Sequence, residues 1–300
     1  MTRQPRSGWL ALVPAFSLLT GGCVINVDAD HVVVREDQRF AVGAGADVTL
    51  ETFDGSIRAL SWSQPAVSVE IQKRGPDREA ASALEVRSSQ DGNRVRVEAP
   101  PPRVARERVG IGRFSGPSVS FLVRLPEQAT LTAITRDGSI VVETVNGTVN
   151  LRSGDGSIRA EAVTGDITAR TDDGSIVLVD VDGRVSLESG DGSLRVDGRV
   201  EHLQARTRDG SIVIEADEGS AMQDDWDVST GDGSITLRVP RDFNAEIDAD
   251  SRDGRVRTEM AGLEASRDER RRGTLRGRIG NGGHTVTLRS GDGSISVLNR

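Results

Sequence analysis

Tyrosine is absent from this 300-residue chain, cysteine occurs once, and aromatic residues make up only 3% of it. The lone Cys23 excludes a disulfide framework and a cysteine-built metal site. So few rings leave few platforms on which sugars or bases could stack. Lysine is nearly missing as well: Lys73 stands alone, and almost every cation is an arginine. A formal net charge of −8 argues against nucleic acid, which needs a basic footprint. His31, His202 and His284 lie far apart with no ligand spacing around them, so each reads as a surface side chain. No Gly-x-Ser-x-Gly elbow occurs. Gly110-Ile111-Gly112 lacks both the Gly-Lys-Ser/Thr and the strand–glycine–helix setting of a phosphate loop. No catalytic or cofactor-binding residue can be assigned from the sequence.

What the chain has instead is glycine and a period. Between Thr135 and Ile212 it reads TRDGSI, SGDGSI, TDDGSI, SGDGSL and TRDGSI, with Gly138, Gly156, Gly174, Gly192 and Gly210 each 18 residues after the last. Asn146-Gly147, Thr164-Gly165 and Asp182-Gly183 are weaker copies halfway between. A fixed period this short marks a repeat architecture. After each glycine apolar and polar residues alternate, as in a half-buried strand. Stacking the copies gives inward columns: Ile140, Ile158, Ile176, Leu194, Ile212 in one half, and Val149, Ile167, Val185, Leu203 in the other. A further column, Leu151, Ala169, Leu187, Ala205, alternates large and small, which keeps a shared core at constant volume.

The expected fold is therefore all-β, a parallel β-solenoid (β-helix) with about 18 residues per coil. Antiparallel hairpins are the rival, since Asp-Gly also marks them. The glycines are read as supplying the positive φ of a tight corner. A hydroxyl three residues earlier, at Thr135, Ser153, Thr171, Ser189 and Thr207, can satisfy backbone groups or bond coil to coil. Glu201 stands where a half-repeat glycine is due, so one irregular corner is expected there.

Residues 1–22 read as an export signal: Arg3 and Arg6, then an apolar run from Trp9 to Leu19 too short to span a bilayer. Thr20-Gly21-Gly22-Cys23 resembles the lipobox of bacterial lipoproteins, in which the cysteine is lipidated and becomes the new N-terminus. Val24 after it resembles an outer-membrane sorting signal. Removing the signal takes the formal charge of −8 to −10. Residues 23–31 would be a lipid-anchored linker and 32–300 the β-solenoid. Two insertions are expected. Residues 76–102 hold a small helix, Arg78 to Leu84, and a hairpin around Gln90-Asp91-Gly92-Asn93. Residues 260–283 form a loop carrying Arg267, Arg270, Arg271 and Arg272, a solvated charge run or a clamp for an anionic lipid or polysaccharide. Arg103 to Pro117 reads as an exposed loop. Ser290 to Ile295 closes the repeat, leaving a last coil, Ser294 to Leu298, with no obvious cap against end-to-end association.

Leu50 to Ile57 is a first copy of the repeat, followed by Trp62, a Val67–Lys73 strand, the helix and hairpin, Leu125-Pro126 and then the Thr/Ser-x-Asp-Gly-Ser-Ile runs. This order resembles a bacterial family of beta-strand-repeat proteins labelled "putative adhesins", related to GIN-type head domains, over roughly residues 32 to 300. The resemblance implies a single-stranded β-helix, no established enzyme activity and no catalytic residues to carry over.

The one constellation with chemical potential is a column of carboxylates: Asp137, Asp155, Asp173, Asp191 and Asp209, continued by Asp232, Asp253 and Asp292. Each either caps its own turn or joins its neighbours in holding calcium. Arg136, Arg208 and Arg252 stand beside their aspartates and can offset the repulsion. Asp224, Asp225, Trp226 and Asp227 form the only dense acid–aromatic cluster, the first place to look for a sugar-binding or active site, though none is expected there. Three functions follow in order: a non-catalytic, lipid-anchored scaffold or adhesin-like binding protein of the bacterial cell envelope; a calcium- or glycan-binding module; a β-helical polysaccharide-active enzyme. The partners are the membrane, through the anchor, and an envelope protein or polysaccharide, with no nucleic acid.

Overall fold

The computed structural model describes residues 25–28, 31–102, 116–260, 263–266 and 273–300. The expected export signal, Cys23, most of the expected Arg103–Pro117 loop and Arg267 to Arg272 lie outside them. The protein is all-β, with one short helix, Arg78–Ser82, among the described residues. Asp77 caps that helix by accepting the Ala80 N–H at 2.7 Å.

Two ladders of parallel strands run side by side. In the first, the strands that follow the Asp-Gly corner pair in order: Ile57 with Ile140, then Ile158, Ile176, Leu194, Ile212, Ile235 and Ile295. In the second, the strands that precede the corner pair Leu50 with Ala133, then Leu151, Ala169, Leu187, Ala205, Val228 and Leu288. One strand from each ladder, joined at a corner, makes a rung. The inward columns of both ladders are buried and form one core. Along the second ladder leucine alternates with alanine from Leu50 to Ala205, which keeps the volume of each pair of rungs constant.

The corners hold the rungs together. Each hydroxyl accepts the N–H of the glycine three residues on and donates to a carbonyl of the neighbouring rung. Ser153 accepts from Gly156 at 3.0 Å and donates to the Gly138 carbonyl at 2.8 Å. Ser189 accepts from Gly192 at 3.0 Å and donates to Gly174 at 3.0 Å. The same pair of bonds recurs at Thr135, Thr171, Thr207, Thr230, Ser251 and Ser290. A buried hydroxyl with both its donor and its acceptor used leaves no polar group unsatisfied.

The glycines are needed for a reason other than the expected one. Gly138, Gly156, Gly174, Gly192 and Gly210 do not adopt the left-handed conformation. A Cβ on Gly192 would instead lie 1.9 Å from the Gly174 carbonyl oxygen, closer than any real contact. Close backbone approach along the stack fixes the residue, not the sign of φ. The opposite corner does use positive φ, as at Gly183 (φ 138), preceded by Asp180 at φ 53. Near Glu201 the register shifts, with Val181 opposite Gly198 and Arg184 opposite His202, so the irregular corner falls where the missing glycine placed it.

Rung order departs from chain order at both ends. The rung 46–62 lies between rung 129–143 and the strands 94–99 and 118–126, although the latter come after it in the chain. At the other end Thr285–Ser290 and Ile295–Asn299 insert between the rung 226–239 and the rung 245–258. Ser294 to Leu298 is therefore an interior rung and not the uncapped end that sequence order implies. Antiparallel strands cover the outermost rungs. His31–Ala41 and Ala66–Gly75 do so at one end, with Arg87–Asp91, which pairs antiparallel to Arg94–Ala99. Thr274–Ile279 lies against Ala245–Ser251 at the other, so part of the 260–283 interruption is a capping strand, not a loop.

This order predicts the effect of truncation. Val286, Leu288, Ile295 and Val297 are wholly buried, and at roughly 1.5–3 kcal/mol each their loss rivals an ordinary domain stability of about 5–15 kcal/mol. Deleting residues 284–300 should leave 245–279 open to limited proteolysis rather than shorten the stack cleanly. Full protection of 245–258 in the truncated protein would contradict the inserted order.

Candidate functional site

A rung spacing of about 4.8 Å turns equivalent positions into columns on two outer faces and one edge. On the first ladder's outer face Arg58, Val141, Arg159, Val177, Arg195 and Val213 alternate. Acids beside them close the arginines: Arg58 with Glu143 at 2.9 Å, Arg159 with Glu161 at 3.0 Å, Arg195 with Glu215 at 2.6 Å. That face is a mosaic of paired charge and valine.

The second ladder's outer face is different. Its central column is Thr49, Thr132, Asn150, Thr168, Ser186 and Gln204. These side chains are half-buried and neutral, and no hydrogen bond engages them among the described residues. The next column toward the corner runs Glu51, Ile134, Arg152, Arg170, Glu188, Arg206. Arg170 meets Glu188 at 3.2 Å and Arg206 meets Asp227 at 3.2 Å. Arg136 and Arg152 have no side-chain partner among the described residues.

At the corner itself Arg136, Gly154, Asp172, Gly190 and Arg208 follow one another, joined by backbone bonds of 2.8–2.9 Å. Side-chain-bearing residues and glycines therefore alternate from rung to rung along the corner. Two depressions lie along it. One of about 710 Å³ is lined by Arg152, Arg170, Arg206, Arg208, Asp172 and Asp173, among others. The other, of about 400 Å³, is lined by Phe53, Pro100, Pro101, Ile134, Arg96 and Arg136, among others. Because Ile134 and Arg152 are neighbours in one column, the two depressions are in line. A signal for this groove was present in the alternation of Thr-x-Asp-Gly with Ser-Gly-Asp-Gly, which the search for single-rung motifs passes over.

The carboxylate column stands at the edge, with Asp137, Asp155, Asp173, Asp191 and Asp209 all exposed. Among the described residues none of these side chains bonds its own turn, so they are not caps; the hydroxyl three residues before the glycine has that role. Repulsion is offset by Arg208, which bonds Asp191 of the adjacent rung at 2.8 Å and lies 3.9 Å from Asp209. Where no arginine reaches, the charge has a cost: partial burial, and then the nearby Asp137, push the Asp54 carboxyl above its ordinary pKa. No group of three or more His, Cys, Asp or Glu side chains is placed to hold a metal ion among the described residues.

The acid–aromatic cluster is structural. Trp226 is wholly buried and packs against Phe243 with ring centroids 5.3 Å apart, so it offers no stacking platform. Asp225 accepts the Thr285 N–H at 2.8 Å, and Asp227 is taken by Arg206. Arg184, hydrogen-bonded at 2.8 Å, holds Asp224 below the usual carboxylate range. His202 and His284, remote in sequence, come to this pair of acids, at 3.6 Å from Asp224 and 3.5 Å from Asp225. A third depression, about 770 Å³, lies at the opposite corner. Arg199 with Asp182, and Arg300 with Asp197 at 3.2 Å, tie charges in and beside it.

These stacked parallel ladders define an all-β, β-solenoid-like repeat protein. The chain belongs to the Toastrack DUF4097 family, whose pattern matches residues 45–298. No curated protein matches it in sequence. Several solved structures are similar to it, among them three that each cover 89% of this chain. One is of a "putative cell adhesion protein" from Clostridium sporogenes, 11% identical, TM-score 0.28, covered over 100% of its length. Another is of a "putative adhesin" from Bacteroides fragilis, 11% identical, TM-score 0.42, covered over 97%. The third is of a "putative lipid binding protein" from Parabacteroides distasonis, 13% identical, TM-score 0.44, covered over 96%. At these identities and scores no partner or activity transfers to this chain.

The Asp54 environment gives a pH test. A carboxyl whose folded pKa is raised contributes stability while protonated and loses it as pH rises through the folded value. At neutral pH the Asp54 charge is therefore a standing cost. Asp54→Asn should raise Tm at pH 7 by about a degree, small because the group is largely solvated, and the gain should vanish below the ordinary carboxylate pKa. A Tm that falls at pH 7, or a gain that persists at pH 3, would contradict it.

Proposed function

We propose that the protein is a non-catalytic binding scaffold of the bacterial cell envelope, adhesin-like in action, held to the membrane by a lipid on Cys23. Its body on this reading is a single-stranded parallel β-helix of 18-residue coils. The eighteen-residue step from Ile140 to Ile158, Ile176, Leu194 and Ile212 supports that geometry. The observation that carries the functional reading is the uninterrupted column Thr49, Thr132, Asn150, Thr168, Ser186 and Gln204 on a rigid ladder. It repeats neutral hydroxyl and carboxamide groups, unengaged, over successive rungs. A surface of that kind suits an extended partner, whereas an active site concentrates unlike groups at one place. Membership of the Toastrack DUF4097 family is in keeping with such a scaffold.

The anchor rests on Thr20-Gly21-Gly22-Cys23. A single acyl chain holds weakly, but two or more hold stably, each buried methylene contributing about 0.8 kcal/mol. Wild-type protein should sediment with membranes and resist a high-salt wash, because the attachment is hydrophobic and the body acidic. Cys23→Ser should be soluble with an unchanged circular dichroism spectrum and Tm. An unmodified Cys23 by mass analysis, or wild-type protein wholly in the soluble fraction, would sink the anchor and with it the envelope assignment.

A further inference from the structure

We infer that the in-line depressions beside the Asp-Gly corner form one groove that binds a linear, hydroxyl-rich polysaccharide along the ladder axis, with a disaccharide as the repeating contact. This rests on the reading of the protein as a binding scaffold and names the surface and ligand class.

Three observations carry it. The first is continuity. The 400 Å³ depression reaches Ile134 and the 710 Å³ depression reaches Arg152, its neighbour in the same column, so the two lie end to end along the stack and together suit a chain more than a compact molecule. The second is period. Gly154 and Gly190, which carry no side chain, alternate along the corner with Arg136, Asp172 and Arg208, which do. Like positions therefore recur every two rungs, about 9.6 Å apart, which is close to the span of a disaccharide in an extended β-linked chain. The core column repeats on the same two-rung step, Leu151, Ala169, Leu187, Ala205, so packing and surface share one period.

The third is chemistry. A sugar hydroxyl both donates and accepts, and the groove offers both partners in alternation. Arg136, Arg152 and Arg170 donate, Asp172 and Asp173 accept, and Asn150, Thr168 and Ser186 in the adjoining column can do either. Arg136, Arg152, Asn150 and Thr168 have no side-chain partner to give up. The opposite face lacks this provision, since its arginines are already closed by Glu143, Glu161 and Glu215. Arginines and acids nearly balance in the groove, which favours an uncharged glycan over a polyanion. Few aromatic residues are exposed, so recognition would be by hydrogen bonds along a length, weak per sugar and cumulative over the chain.

The test is calorimetry or glycan-array binding of the full chain with β-linked glucose and β-linked N-acetylglucosamine oligomers of every length from two to six sugars. A polyuronate hexamer and α-linked maltohexaose serve as comparison ligands. Affinity should rise at least tenfold from two to six sugars, with the larger increments at even lengths, and the α-linked chain should bind at least tenfold more weakly. Asn150→Ala/Arg152→Ala should weaken hexamer binding tenfold or more with Tm unchanged, while Arg195→Ala on the other face should not change it. Absence of hexamer binding at millimolar concentration would overturn the proposal, as would binding that the groove variant leaves intact. Preference for the polyuronate would overturn the choice of an uncharged chain. If isolated envelope material binds equally to wild type and the groove variant, the groove fails while the scaffold reading stands.

Discussion

Everything in this fold depends on how closely the backbone of one rung can approach the next at the Asp-Gly corner. Along the strands, amide hydrogen bonds set the spacing at about 4.8 Å. At a corner the chain turns away from ladder geometry, and its carbonyl groups would be left without partners. The Ser/Thr hydroxyl supplies what is missing, clamping the glycine N–H of its own rung and the glycine carbonyl of the next. That clamp works only if nothing stands between the two backbones, so the corner residue must be glycine. Hydroxyl, glycine and the first buried isoleucine are thus one unit, and the register of both ladders follows from it.

The exchange of rung order at the two ends answers a difficulty that any open stack of strands has. A terminal rung with free edges is a template for association. Here the chain lays down an outer rung, covers it with antiparallel strands, and locks the neighbouring rung from the other side of the sequence. The strand Thr285–Ser290, near the chain's last residue, pairs on both sides, with Trp226–Thr230 and Ala245–Ser251. Residues 46–62 are held in the same way at the opposite end. Contacts between segments distant in sequence then tie the ends to the middle, which a stack built strictly in chain order would not have.

Much of the ladder was legible because a period of 18 residues assigns partners without further knowledge: the column Ile140, Ile158, Ile176, Leu194, Ile212 is the observed pairing. Glu201 at a glycine position gave the irregular corner for the same reason. Rung order was not legible, since a repeat unit carries the same signal whichever neighbour it stacks on. The role of the glycines was misread because Asp-Gly serves positive φ and close approach alike, and only the neighbouring rung distinguishes them. Trp226 stands beside three aspartates in sequence, and strand alternation turns it inward while Asp227 faces out. The groove was missed because its period is two rungs and its walls come from adjacent columns.

The most direct test of the corner clamp is equilibrium urea denaturation of Gly192→Ala beside Gly116→Ala, with Ser189→Ala and Ser189→Thr measured in the same series. A Cβ at Gly116 meets nothing within 4 Å, whereas one at Gly192 meets the Gly174 carbonyl oxygen at 1.9 Å. The account predicts a loss of about 4 kcal/mol or more for Gly192→Ala and little change for Gly116→Ala. Ser189→Ala should lose about 1–3 kcal/mol by orphaning a buried carbonyl and N–H. Ser189→Thr should be tolerated, since Thr171 and Thr207 make the same bonds in the adjoining rungs. Equal stability of Gly192→Ala and Gly116→Ala would contradict the claim that close backbone approach at this corner holds the stack together.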